Sequence, residues 1–211
     1  SGKGSTIEEA SRLLAKDFPI LLFGWKSVRY RSADRLCDLT AISAKSVKRF
    51  PSLVNRLSVR VKTAWYRLAK ASLCERLHPV FSFEDRDLLL DPLILSVSYL
   101  GLLDHFSIDR RVAFMQRVGF GSLCDAYVFL DVSPDIAYER VVARHRRERR
   151  KLSPHENLND LRRLQNQYLQ GIDYLESKGI PVIRVRGDEK NIRECGAQTA
   201  EALYKMVKTS A

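Results

Sequence analysis

Cysteine is scarce in this chain. Cys37, Cys74, Cys124 and Cys195 are the whole complement, far apart and in no metal-ligand spacing. That excludes a disulfide framework and a zinc cluster, and points to structural thiols in a reducing compartment such as the cytoplasm. Long apolar runs are also missing. The most hydrophobic stretch, residues 88–103, is broken by Asp91-Pro92. The piece after the break falls short of the ~20 residues a bilayer span takes, so it reads as a buried helix. No signal peptide, internal repeat, low-complexity segment or domain linker is visible. Acid is short relative to base: 25 Asp+Glu stand against 36 Lys+Arg, a net charge of +11. Such an excess implies an anionic partner, whether nucleotide, nucleic acid or acidic membrane surface, or else serves solubility alone.

What is present suits a folded chain. Hydrophobic residues make up 45% and charged residues 29%, which excludes a disordered polymer. The 211 residues fit one domain, 1–211, with a sizeable core.

The opening residues Ser1-Gly2-Lys3-Gly4-Ser5-Thr6 match the second half of the phosphate-binding signature G-x-x-x-x-G-K-[ST]. In that loop, backbone N–H groups and a lysine hold the phosphates of a nucleotide. Gly4 stands where a hydroxyl residue is usual, and Ser5 and Thr6 follow at once. The wording G-K-G-[ST] resembles that of adenylate kinases. The six residues read either as the remainder of such a loop or as an accident of a Ser-Gly tag. Thr6 and Glu9 match a capping box, predicting a helix that starts there and carries Ile7, Ala10, Leu13 and Leu14 inward to Asp17. A helix start suits phosphate, because its free N–H groups and partial positive charge face the ligand.

Further along, residues 18–23 form an apolar run that predicts a buried strand. Residues 24–35 read as a basic loop and 35–77 as helical, broken at Phe50-Pro51. A second strand is predicted at 79–83, ending in Glu84-Asp85-Arg86-Asp87. At the carboxyl end of a parallel strand, an acid can order Mg²⁺-bound water and an arginine can neutralise a phosphoryl group. A strand-end salt bridge is the plainer reading of the same residues. Residues 88–103 and 110–118 read as helices.

Residues 126–132 form the clearest strand, followed by Ser133-Pro134, a serine N-cap with proline at the first helical position. The cluster at 144–151 then carries six Lys/Arg and one Glu. It reads as a solvated face, as a nucleic-acid contact, or as a lid over phosphates at about 144–156. Its position after that strand favours the lid. Ser153 with Glu156 matches a second capping box, opening a helix to Lys178 that Gly179 ends. A last strand at 181–185 precedes a helix at 188–207. The alternation predicts an α/β fold with a parallel sheet and helices on both faces.

Taken together, Ser1–Thr6, Phe83-Glu84-Asp85-Arg86-Asp87, and Phe129-Leu130-Asp131-Val132-Ser133-Pro134-Asp135-Ile136-Ala137-Tyr138-Glu139-Arg140 with its trailing arginines resemble the thymidylate-kinase-like branch of P-loop kinases. The third stretch is the most specific, being similar to the family's L-D-V-x-P-E-x-A-x-x-R turn. The resemblance implies a P-loop NTPase three-layer sandwich, its first strand expected just before Ser1. It implies Mg·ATP as donor and a nucleoside monophosphate, dTMP by family weight, as acceptor. Gly2, Lys3, Gly4, Ser5 and Thr6 would bind the nucleotide, with Ser5 and Asp85 toward Mg²⁺. Lys3, Asp85, Arg86, Arg144, Arg147 and Arg149 would be the catalytic set. Expected partners are thus a nucleotide and a small phosphate-bearing acceptor, without membrane or nucleic acid. A homodimer through a surface such as 53–77 is allowed but not required. Residues 25–57 match no part of the family pattern. A deoxynucleoside or other small-molecule kinase of the same fold is the first alternative. A non-catalytic basic module that binds nucleic acid is the second.

Overall fold

The computed structural model describes residues 3–23, 28–32, 35–38, 68, 70–84, 91–97, 105–117, 123–149, 151–152 and 156–210. Helix α1 (Lys3–Leu14) leads through a short turn to strand β1 (Ile20–Phe23). Strands β2 (Val28–Ser32), β3 (Arg35–Asp38) and β4 (Phe81–Glu84) follow, with a helical stretch at 70–77 before β4. Then come α2 (Pro92–Leu95), α3 (Ile108–Arg117), β5 (Tyr127–Asp131), α4 (Pro134–Glu148), α5 (Leu158–Ser177), β6 (Val182–Arg186) and α6 (Ile192–Ser210). Among the described residues, no helix is long and apolar enough to cross a membrane.

Several boundaries have plain local causes. Asp91 caps α2, its Oδ1 accepting from the N–H groups of Leu93 and Ile94. Pro92 fills the first helical position, where no N–H is needed. Gly179 closes α5 at φ 70°. Its N–H donates to Glu176 O and that of Ile180 to Leu175 O, a Schellman pair that only a left-handed residue permits. At α6, Asn191 and Glu194 cap each other: the Glu194 N–H donates to Asn191 Oδ1, and the Asn191 N–H to Glu194 Oε2.

The expected capping box at Thr6 is not the helix start, and Ser153 of the second expected box lies outside the described residues. Helix α1 already includes Lys3, and Thr6 lies on its buried face. The α5 cap is Asn157, whose side chain accepts from the Asp160 N–H. Ser133 does precede α4, but its side chain makes no capping bond. Its backbone N–H donates instead to Asp188 Oδ1 at 2.8 Å.

The strands anticipated at 18–23, 79–83, 126–132 and 181–185 form, with parallel pairing of β1 to β4 and of β5 to β6. Two expectations fail. The supposed basic loop at 24–35 and the start of the supposed helix at 35–77 contain β2 and β3, an antiparallel pair that continues the sheet from β1. Val28-Arg29-Tyr30-Arg31 alternates with the period of a strand and pairs with β1. Among the described residues the strands form two sheets rather than one parallel sheet, ordered β3-β2-β1-β4 and β5-β6. Residues 39–67, with most of the expected helix, lie outside the described residues.

Among the described residues, two cores flank the strands. Ala10 and Leu14 of α1 meet Ala200 and Leu203 of α6 and Ile20 and Leu22 of β1, joined by Phe81, Phe83 and Ile183. The second core joins Leu93, Val97, Val112 and Leu175, with Tyr127 and Val182 packed against it. Successive strand side chains point to opposite faces, so Val182 enters one core and Ile183 the other. Helices therefore cover both faces of β6.

Helices α1 and α6 run side by side in the same direction. Gly196 lies against Glu9 and Ala10, and Tyr204 against Phe18. Since α1 turns back directly into β1, its first turn lies at the end of the molecule where β1 and β4 finish. Since β6 turns directly into α6, the end of β6 lies at that same end. The carboxyl ends of both parallel pairs and the start of α1 therefore share one end of the molecule.

Candidate functional site at the carboxyl ends of the strands

That shared end gathers the chemistry. Lys3, Gly4 and Ser5 form the first turn of α1, with Gly4 and Ser5 exposed. N–H groups in a first turn have no acceptor within the helix and carry part of the positive end of its dipole. A Cβ added to Gly4 would meet nothing within 4 Å, so the backbone there is open to an approaching group. Thr6 differs: it is 4% exposed and belongs to the packed face of α1. Its hydroxyl therefore does not share the exposure of Ser5. Strand β4 ends at Glu84 at the same end of the molecule. Ser1, Gly2, Asp85 and Arg86 lie outside the described residues.

Beyond β5 and β6, three contacts tie their connecting turns together. Arg140 Nη2 donates to Gly187 O at 2.8 Å and to Asp188 O at 3.3 Å. Gly187 N–H donates to Asp131 O at 2.7 Å. Gly187 also packs on Val132 and Leu130 so closely that a Cβ would sit 2.7 Å from Val132 Cγ2. Only glycine fits that approach. Gln165 Nε2 reaches Asp131 Oδ1 at 3.4 Å.

Helices α4 and α5 form an antiparallel arm that extends past the strand ends. Their contacts show the direction: Gln165 meets Asp131, Arg162 meets Asp135, and Glu156 meets Arg144 and His145. Moving back along α5 thus corresponds to moving outward along α4. Arg144 lies ten helical positions beyond Pro134, which places it roughly 15 Å along the arm.

Arg144, Arg146 and Arg147 thus lie in the last turns of α4. Arg149 ends the helix in the left-handed region at φ 53°, and its N–H donates to Arg146 O. Arg146, Arg147 and Arg149 are exposed. Arg144 is engaged: its Nη2 donates to Glu156 Oε1 at 3.0 Å. His145 Nε2 stands 3.0 Å from Glu156 Oε2, while its Nδ1 is buried with no hydrogen-bond partner. An open groove lies along α4 between Tyr138, Glu139, Val142, Ala143 and Arg146.

Sequence reasoning named Lys3, Ser5, Arg144, Arg147 and Arg149, and the structure places all of these on elements that start at or project from one end of the strands. It missed Glu156, the partner of Arg144, and His145, which contacts the other oxygen of the same carboxylate. Glu156 was read as half of a capping box, and the real partner is a long-range contact with no local signature.

At the opposite end of β5 a buried polar cluster has a structural role. Asp91 Oδ2 accepts from the Tyr127 hydroxyl and from Cys124 Sγ, the latter at 3.3 Å. The Tyr127 hydroxyl in turn accepts from the Cys124 N–H at 3.1 Å. Burial, together with the nearby Asp91 carboxylate, pushes the Tyr127 phenol well above its ordinary range. It stays a donor under all ordinary conditions. No family model matches the chain, and no curated protein matches it.

Proposed function

We propose that the chain is an ATP-dependent kinase of the P-loop type that transfers a phosphoryl group to a nucleoside monophosphate, with dTMP the first acceptor to test. The supporting observation is directional. The first turn of α1, the end of β4 leading into Asp85-Arg86, and the arginine-bearing arm all belong to the carboxyl end of the parallel strands. In open α/β sheets this is the end where ligands bind.

Each residue then has a role. Backbone N–H groups at Gly4 and Ser5 would receive phosphate oxygens, and the Lys3 ammonium would bind the β- and γ-phosphates. Exposed Ser5 and the acid Asp85 supply the hard oxygen donors that suit Mg²⁺, which would offset phosphate charge when bound. Thr6, being buried, stays out of that set and fixes the packing of α1. Arg86 would grip the phosphate of the acceptor. Arg147 and Arg149, exposed at the arm tip, would neutralise charge on the transferring group and help exclude water. Among the described residues β4 and β5 each pair on one side only. A strand supplied from upstream of Ser1 would complete one sheet between them as a P-loop sandwich.

Calorimetry with Mg·ATP tests this reading on this chain and on one with about ten to twenty upstream residues added, enough for a strand and its loop. Binding that is lost in Lys3→Ala supports it, and an acceptor screen from dTMP follows. An Arg86→Ala enzyme that keeps nucleosides but loses monophosphates would identify the acceptor class. Absence of nucleotide binding in both chains would overturn the proposal.

A further inference from the structure

The carboxylate of Glu156 is bound as a phosphate would be. Its two oxygens face two different basic groups, Arg144 Nη2 and His145 Nε2, each at 3.0 Å. Both groups come from one turn of α4, while Glu156 comes from the return segment before α5. The assembly is half-hidden: side-chain exposure is 36% for Arg144, 26% for Glu156 and 12% for His145. In such a setting a guanidinium and an imidazole N–H bind any planar or tetrahedral oxyanion by charge-assisted hydrogen bonds. The next arginines, Arg146, Arg147 and Arg149, are exposed around the same helix end. So much positive charge at a helix C-terminus is favoured by the dipole, yet its members repel one another. An anion relieves that repulsion, and Glu156 supplies one from within the chain.

We infer that Arg144 and His145 form an anion site for a phosphate group and that Glu156 is its resident competitor, displaced when phosphate arrives. The inference rests on the kinase reading for the identity of the phosphate, but not for the existence of the site. Arg144 does not stand ready in advance. Its contact with phosphate is an exchange of one oxyanion for another, with no net loss of hydrogen bonds. Glu156 thus lowers phosphate affinity and makes it depend on how many arginines the incoming group can reach. A polyphosphate that also spans Arg147 and Arg149 displaces the carboxylate; a single phosphate does so weakly. Glu156 is in this sense a specificity-determining residue.

Inorganic tripolyphosphate is the probe, titrated by calorimetry into the full chain. Glu156→Gln removes the competing charge while keeping shape and hydrogen-bonding capacity. Expected is a roughly tenfold gain in tripolyphosphate affinity, about 1.4 kcal/mol. The gain should be smaller for orthophosphate and should vanish in a Glu156→Gln, Arg144→Gln double variant. Glu156→Asp should bind like wild type. Unchanged or weaker tripolyphosphate binding in folded Glu156→Gln overturns the inference, since a purely structural clasp predicts no gain. If Glu156→Gln does not fold, the His145 ring resonances of the wild-type chain decide: tripolyphosphate must shift them as the carboxylate leaves, and no shift at saturation overturns the inference. The two proposals part cleanly. Tighter tripolyphosphate binding with no phosphoryl transfer from ATP retains the anion site and removes the kinase. Transfer from ATP without the gain does the reverse.

Discussion

The two parallel strand pairs differ in how they are held. The β5–β6 pair is local in its logic. Strand β5 is a contiguous apolar run, β6 follows an amphipathic helix closed by a Schellman turn, and α6 opens on a reciprocal cap. Both pairs join residues far apart in sequence, 61 positions for Ile20 and Phe81 and 55 for Tyr127 and Val182. The β1 sheet differs in also taking in β2, a strand with no local mark, which docks on α1 through Arg31. Arg31 donates to Glu8 Oε1, Glu8 O and Ser11 Oγ, so a strand that looks like a charged loop is anchored by its charge. The lesson is that a basic residue in a strand can be the docking element rather than an obstacle.

The most damaging way to break this comparison is to part α1 from α6, the contact that aligns the two halves. In Gly196→Val the new Cβ would meet Glu9 Cβ at 2.7 Å and the Ala10 backbone nitrogen at 3.2 Å. Backbone cannot yield as a flexible side chain does. Urea unfolding should show a loss of about 3 kcal/mol. A wild-type midpoint would mean the halves do not rely on this contact.

Arg31→Ala comes next and should act on the first half alone. It removes charge-assisted bonds from a guanidinium that is 13% exposed, at a cost of about 2 kcal/mol. Hydrogen exchange should quicken in β2 and β3 while β5 and β6 keep their protection. Uniform acceleration would show one cooperative unit and erase the distinction.

Tyr127 sharpens the view of the second half. Its phenol is raised in the folded state, so it stays protonated where the unfolded chain ionises. Stability from this group is therefore complete below about pH 10 and lost as pH rises above the ordinary tyrosine value. In Tyr127→Phe the neutral-pH loss should be about 1 kcal/mol, and the alkaline decline should flatten. Denaturant titrations on both sides of that value read both effects, and an undiminished decline would assign it elsewhere.

The smallest effects separate true caps from apparent ones. Asn191→Ala should lower stability by about 1 kcal/mol. Ser133→Ala, whose side chain makes no capping bond, should change it by less than about 0.5 kcal/mol. Equal losses would show that Ser133 caps α4 after all.

Legibility followed the range of the interactions. Residues 158–177 could be read because their apolar positions repeat at helical spacing and a glycine follows. Residues 28–38 could not, because alternation in a short arginine-rich segment carries no mark of the β1 edge it joins. At the site, Lys3 and Ser5 were visible through motif spacing. Glu156 was visible only as a capping pattern, and Ser153 and Asn157 offered competing starts for the same helix.

Strand and helix order, the apolar faces of the long helices and the concentration of positive charge at 144–151 were already determined by the sequence. They rest on period, composition and near-neighbour spacing, all of which are local. Tertiary structure alone decided which way α1 points relative to the strands, that β2 is a strand, and that Arg144 and His145 hold Glu156. Those outcomes depend on contacts between residues brought together by folding, whose energies no stretch of sequence carries alone.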